Sequence, residues 1–208
     1  MARDNNDLLK YATSLDPSQL QMIGAKQAIS ETKYDTLTLA AAVVPNQTQF
    51  FANPSADLAI KNFEGPSNLV TSGKLFLAQT LGFMISKISA AVTAQNIMDL
   101  LHNCCLRVQC DQKVMGTFPV HQLTGFGGAF LPSQVAVTAA AAPAGAVSNF
   151  GITNGFPHSQ PFRINPLLVE GQKSFAAFLI APTGSPITLL GTLDVKVLIG
   201  GIQFQAIQ

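Results

Sequence analysis

Apolar residues change their spacing along this chain, and the changes divide it into regions. In the opening stretch Leu8, Leu9, Ala12 and Leu15 recur at helical intervals. Asp16, Pro17 and Gln19 then read as the N-cap, N1 and N3 positions of a second helix, whose face continues through Leu20, Ile23 and Gln27. Residues 6–31 are therefore expected to form two short helices, within an arm of residues 1–35 that precedes the main domain. From Thr36 onward the pattern is that of strands. Residues 36–44 are β-prone and stop at Pro45, and residues 49–53 stop at Pro54. Residues 75–91 predict one long or two short buried strands. Thr93 is then placed to cap a helix running through His102, with Ile97, Leu100 and Leu101 on its apolar face.

Beyond that helix, Leu106, Val108 and Cys110 alternate with Arg107, Gln109 and Asp111, as in a strand with one wet face and the Cys110 thiol turned inward. Near the end, Leu193, Val195, Val197 and Ile199 hold odd positions, while Ile202, Phe204 and Ala206 hold even ones. The parity flips at Gly200 and Gly201, and an extra residue there, a β-bulge, would keep both sets on one face. Residues 174–180 are apolar at both parities and predict a buried strand beside the terminal one. Residues 136–147 are of low complexity and read as a loop or edge excursion. Many short strands, one intervening helix and no βα alternation predict an all-β sandwich or barrel over residues 36–208.

Composition sharpens this picture. Of 208 residues, 48% are hydrophobic and only 11% charged, against about 25% in soluble domains generally. Twelve Lys and Arg against eleven Asp and Glu leave a net charge of +1. That gives no electrostatic footprint for nucleic acid, and so little self-repulsion favours association of subunits. Nine of the charges lie in the first 35 positions, five acidic and four basic, whereas residues 114–162 carry none. Contact surfaces between subunits are depleted of charge at their centres because an imperfectly paired charge is costly to bury. The uncharged run is thus a candidate contact surface. No signal-peptide h-region occurs before residue 36. Residues 75–92 are broken by Gln79, Thr80, Ser86, Lys87 and Ser89, so no bilayer span is expected. Three cysteines crowded into seven positions are a poor basis for a disulfide framework and favour a reduced compartment.

The cluster closest to chemistry is His102, Cys104 and Cys105, with Cys110 and His121 nearby. Its spacing lacks the paired elements of a zinc site, and buried structural cysteine is the favoured reading. Acid/base catalysis needs two carboxyls in one cleft. The late acids look scattered: Asp99 on a helix, Asp111 on a strand, Glu170 in a loop, and Asp194 alongside Lys196 on one strand face. Ser174 and Ser185 lack a nucleophile-elbow setting. The glycines of residues 125–128 precede no phosphate-binding helix, and His158 lies in a polar, proline-rich loop. No catalytic residue, metal or cofactor is expected.

The order of elements resembles the jelly-roll coat proteins of icosahedral viruses, specifically the upright barrels of tailless phages. Three regions carry the likeness: NLVTSGKL at 68–75 running into LGFMIS at 81–86; NIMDLLHN at 96–103 followed by LRVQCDQK at 106–113; and NPLLVEGQKSF at 165–175 with LDVKVLIGGIQFQ at 193–205. The resemblance implies a single eight-stranded jelly roll with a helical arm and one inserted helix, and self-assembly into a closed shell. Many coats of RNA viruses carry an Arg-rich arm, but residues 1–35 have a net charge of −1. Direct nucleic-acid binding is therefore not expected. The genome would be held by other virion proteins, with room for a nearby internal viral membrane. The expected function is that of a capsid subunit, assembled in the host cytoplasm and located in the virion. Leu8, Leu9, Leu15, Leu20 and Ile23 are the candidate contacts of the arm with neighbouring subunits. A lectin-like sandwich and a small barrel metalloenzyme are the alternatives.

Overall fold

A computed structural model of the chain describes residues 18, 26–55, 57–124, 130–135, 148–153, 162–171 and 173–206. The described residues hold ten strands: β1 (Lys26–Leu39), β2 (Gln47–Phe50), β3 (Leu75–Ile88), β4 (Cys105–Cys110), β5 (Lys113–Pro119), β6 (Phe130–Val135), β7 (Ser148–Thr153), β8 (Phe162–Glu170), β9 (Phe175–Ile180) and β10 (Leu193–Ala206). Helix α1 (Ala94–Asn103) lies between β3 and β4, and a 3₁₀ turn covers Val120–Leu123. Two four-stranded antiparallel sheets carry the body, in the orders β1-β10-β3-β8 and β2-β9-β4-β5; β6 and β7 pair separately. Side chains of both sheets meet in one core: Phe76, Phe83, Val195 and Val197 from the first, Phe50, Leu106, Phe175 and Leu179 from the second. This is an all-β sandwich, as the alternation in β4 and β10 predicts. No helix among the described residues is long and apolar enough to cross a membrane.

Pairing follows a simple rule among the eight strands of the two sheets. The first pairs with the last (β1 with β10), the second with the seventh (β2 with β9), the third with the sixth (β3 with β8) and the fourth with the fifth (β4 with β5). The chain thus doubles back on itself as one long hairpin. Further ladders of β10 with β3 and of β9 with β4 join these pairs into the two sheets.

Several expectations from the sequence need correction. Residues 26–31 are strand rather than helix, because β10 is 14 residues long and β1 pairs with all of it, from Lys26 opposite Ala206 to Leu39 opposite Leu193. A ladder of that length outweighs the weak helical preference of a segment containing Ile29 and Ser30. β1 therefore runs through residue 35, and it stops at Leu39 rather than Val44. β9 lies between β2 and β4 in the sheet opposite the terminal strand, where both neighbours supply hydrogen bonds. Asp111 is not a strand residue: Asp111 and Gln112 have φ of 49° and 67° and close a two-residue hairpin between β4 and β5.

The last correction concerns the double glycine. β10 carries no extra residue, since its register with β1 is unbroken; the bulge lies in β3, where Gly200 pairs with Thr80 and Gly201 with Ala78, leaving Gln79 over. β3 uses it to keep Phe76 and Ala78 on the same face as Leu81, Phe83 and Ile85. β10 does change face. Its odd positions enter the shared core, whereas Phe204 and Ile202 join Leu75, Leu77 and Leu168 in a separate cluster on the other side of the sheet. A Cβ at Gly201 would overlap the Leu77 carbonyl oxygen and meet the Phe76 ring. Gly201→Ala is thus expected to cost about 2 kcal/mol through forced backbone movement, seen as a lower urea midpoint at unchanged slope.

Candidate functional site

The described part of the uncharged run begins on β5, an edge strand. Its register with β4 slips between Val108 and Gln109, which pair with Gly116 and Val114 and leave Met115 as the extra residue. The slip breaks the alternation, so the neighbouring side chains of Val114 and Met115 both face solvent, 48% and 42% exposed. A bulged edge is poorly shaped for continuing a ladder onto another strand. What it offers is apolar side-chain contact, bounded by Lys113.

Behind the other end of the sandwich lies a set of charges. Glu31, Lys33 and Asp35 occupy alternate positions of β1 and project to the side that holds Leu37 and Leu39. Their partners come from the segment joining β2 to β3. Lys33 is 1% exposed, and its Nζ lies 2.9 Å from Glu31 and 3.3 Å from Glu64. The Lys74 ammonium donates to Glu64 at 2.9 Å, and Thr71 donates to it from both its backbone N–H and its hydroxyl. Burial alone would push the Glu64 carboxyl up, but the bonds from Lys74 and Thr71 and the nearby Lys33 outweigh it and hold it at about 2. Asp35, fully buried, accepts from the Phe51 N–H at 2.6 Å and pairs with Lys61 at 3.3 Å. Its carboxyl is raised by burial in spite of these partners. These contacts fix the long β2–β3 connection against β1, which is a structural task.

Of the His/Cys group, the fold brings only part together. His102 at the end of α1 and His121 in the 3₁₀ turn stack with centroids 5.6 Å apart. Cys104 is buried, with its thiol pushed up to about 12 by burial and by Cys105. Cys110 sits at the far end of β4, buried as its parity predicts; burial raises its thiol too, with Asp111 adding to the effect. Thiols so displaced are not thiolates at neutral pH. Among the described residues no group of three or more His, Cys, Asp or Glu is placed to hold a metal ion.

The late acids are dispersed, each with a local partner. Asp99 accepts from Gln95 on α1, Asp111 from the Ser174 N–H, Glu170 pairs with Lys173, and Asp194 accepts from Thr38. Lys196, beside Asp194, instead reaches the Ala59 carbonyl and lies over the Tyr34 ring. The contact residues expected of the arm, Leu8, Leu9, Leu15, Leu20 and Ile23, lie outside the described residues, as do residues 125–129, 136–147 and His158. Sequence reasoning missed the inward charges of β1, although Glu31, Lys33 and Asp35 alternate at a strand's period. It also missed the bulge at Met115, for which the sequence holds no local signal. Comparison with models of known protein families and with curated proteins finds no match.

Proposed function

We propose that this chain is a structural virion protein, the capsid subunit of a tailless icosahedral phage, built as an eight-stranded jelly roll that self-assembles laterally. The pairing order carries the reading. A long hairpin whose strands pair first with eighth, second with seventh, third with sixth and fourth with fifth, rolled into two sheets, supports a jelly roll, an architecture found in viral capsids and lectins. Helix α1 and the β6–β7 pair are then insertions, placed between the fourth and third strands and between the fifth and sixth.

Lateral association is supported by the near-neutral charge and by the apolar β5 edge, where the uncharged run begins. Its partners are copies of itself and other virion proteins, in a particle that other components fill with the genome. Electron microscopy and sedimentation of the purified chain test this reading: shells or symmetric rings of subunits are expected. A monomer that persists at high concentration, or that binds glycans as a single subunit, overturns it in favour of a lectin-like module. Replacing Val114 and Met115 together by lysine is expected to abolish assembly while leaving the circular dichroism and urea midpoint of the subunit unchanged, because both side chains already stand in solvent. Particles of ordinary size and yield from this variant would remove the β5 edge from the interface.

A further inference from the structure

The first sheet has a second apolar face that the shared core does not use. Leu75 and Leu77 of β3, Leu168 of β8 and Phe204 of β10 cluster there with Ile202, and among the described residues these five make up the whole cluster. A sheet face turned to water leaves its side chains open from above. Here Leu75 is 5% exposed, Leu77 2%, Leu168 6% and Phe204 1%. Five side chains standing side by side on strands about 4.8 Å apart cannot screen one another that completely.

The position of the patch indicates what covers it. It lies at the end of the sheet where β1 begins: Lys26 pairs with Ala206, Ala28 with Phe204, Phe204 with Leu75, and Leu77 with Leu168. Twenty-five residues precede Lys26, and their apolar positions fall at helical spacing. Ile23 is three residues from Lys26, so it lies within about 10 Å of that residue along the chain. Phe204 is one strand and two residues from Lys26, a comparable distance. Residues 125–161 rejoin the sheet at Phe162, opposite Leu81, beyond the bulge at Gln79.

We propose that the amphipathic segment of residues 7–23 docks on the outer face of its own first sheet, with Leu20 and Ile23 over Phe204 and Ile202. The arm is thus a covering layer of its own subunit before it is a contact with any other. This inference does not depend on the virion reading, because it concerns a single chain.

Hydroxyl-radical footprinting of the full-length protein tests it, comparing residues of one type. Leu77 and Leu75 are expected to react roughly tenfold more slowly than Leu58 and Leu190, which are 68% and 61% exposed. That protection should persist on dilution to the monomer. In the variant carrying Leu20→Asp and Ile23→Asp, Leu75 and Leu77 should approach the rate of the exposed leucines and Phe204 should rise well above Phe83, which stays protected in the shared core. If that variant does not fold, Leu20→Ala with Ile23→Ala should give a smaller rise at the same three residues. Protection lost on dilution would assign the cover to a second copy. Protection unchanged in both variants would assign it to another segment. Leu77 as reactive as Leu58 in the wild type would mean that no cover exists. Each of these three results overturns the proposal.

Discussion

Replacing Phe51 by alanine is expected to destabilise the protein by about 4 kcal/mol, within the range for deleting a buried aromatic ring. Phe51 is fully buried, and its ring meets Phe63 and Phe175 edge-on at 5.3 Å and 5.6 Å. These contacts join the end of β2 to the β2–β3 connection and to β9, so the cavity left behind would open at a junction of three segments. The backbone adds a second and more discriminating expectation. Phe51 has φ of 63°, a left-handed conformation that costs residues with a Cβ about 1–2 kcal/mol. Its N–H is held there by the Asp35 carboxylate at 2.6 Å. Glycine in an extended segment is ordinarily worse than alanine, but here Phe51→Gly should be more stable than Phe51→Ala by about 1 kcal/mol. Urea unfolding of the two variants beside the wild type checks both statements. An alanine variant within about 1 kcal/mol of wild type, or a glycine variant less stable than the alanine one, would contradict this account of Phe51.

The elements visible in the sequence are those in which a local rule and the tertiary environment agree. Strand β4 reads correctly because Leu106, Val108 and Cys110 alternate on one buried face. Helix α1 reads correctly because Thr93 caps it: the Thr93 hydroxyl accepts from the Asn96 N–H, and the Asn96 side chain accepts from the Thr93 N–H. Capping is local chemistry, and so is the apolar face of Ile97 and Leu100. The errors occur where a distant partner decides. Nothing within residues 26–31 announces β10 some 170 positions later, so a weak helical pattern looked like structure. The same distance hid the bulge of β3: the parity change at Gly200 and Gly201 is visible, but the extra residue belongs to the neighbouring strand, and only the pairing shows that Gln79 is the one left over.

The proposed contact edge was legible in part. Scarcity of charge over residues 114–162 is a property of the sequence, but the joint exposure of Val114 and Met115 depends on a register slip that composition cannot encode. Charges on β1 misled in the opposite sense. A Glu, Lys and Asp in a short stretch usually mark a solvated face, yet here they point inward because Lys61 and Glu64, the latter also paired with Lys74, are brought to them by a connection that begins after β2.

That inward set leads to the second large effect, which depends on pH. Glu64→Gln keeps the shape of the side chain and removes its charge, leaving Lys33 with Glu31 alone and Lys74 without its carboxylate. Displacement of the Glu64 carboxyl from an ordinary 4.5 to about 2 in the folded protein corresponds to about 3 to 4 kcal/mol at about 1.4 kcal/mol for each pH unit. Because the side chain is 22% exposed, screening reduces this to about 2 to 3 kcal/mol. A folded-state value below the unfolded one means that the stabilisation is complete above pH 4.5 and is lost as the pH falls through the interval down to about 2. The stability difference between wild type and Glu64→Gln should therefore be full at pH 6 and shrink steadily towards pH 2. Asp35 acts in the opposite sense, since its raised carboxyl takes up a proton more readily in the folded state, but it is present in both proteins and cancels in the comparison. Guanidinium titrations at a series of pH values give the difference directly. A gap that stays constant from pH 6 to pH 2 would show that Glu64 contributes by shape alone, and that the ammonium groups of Lys33 and Lys74 are held by something other than its charge.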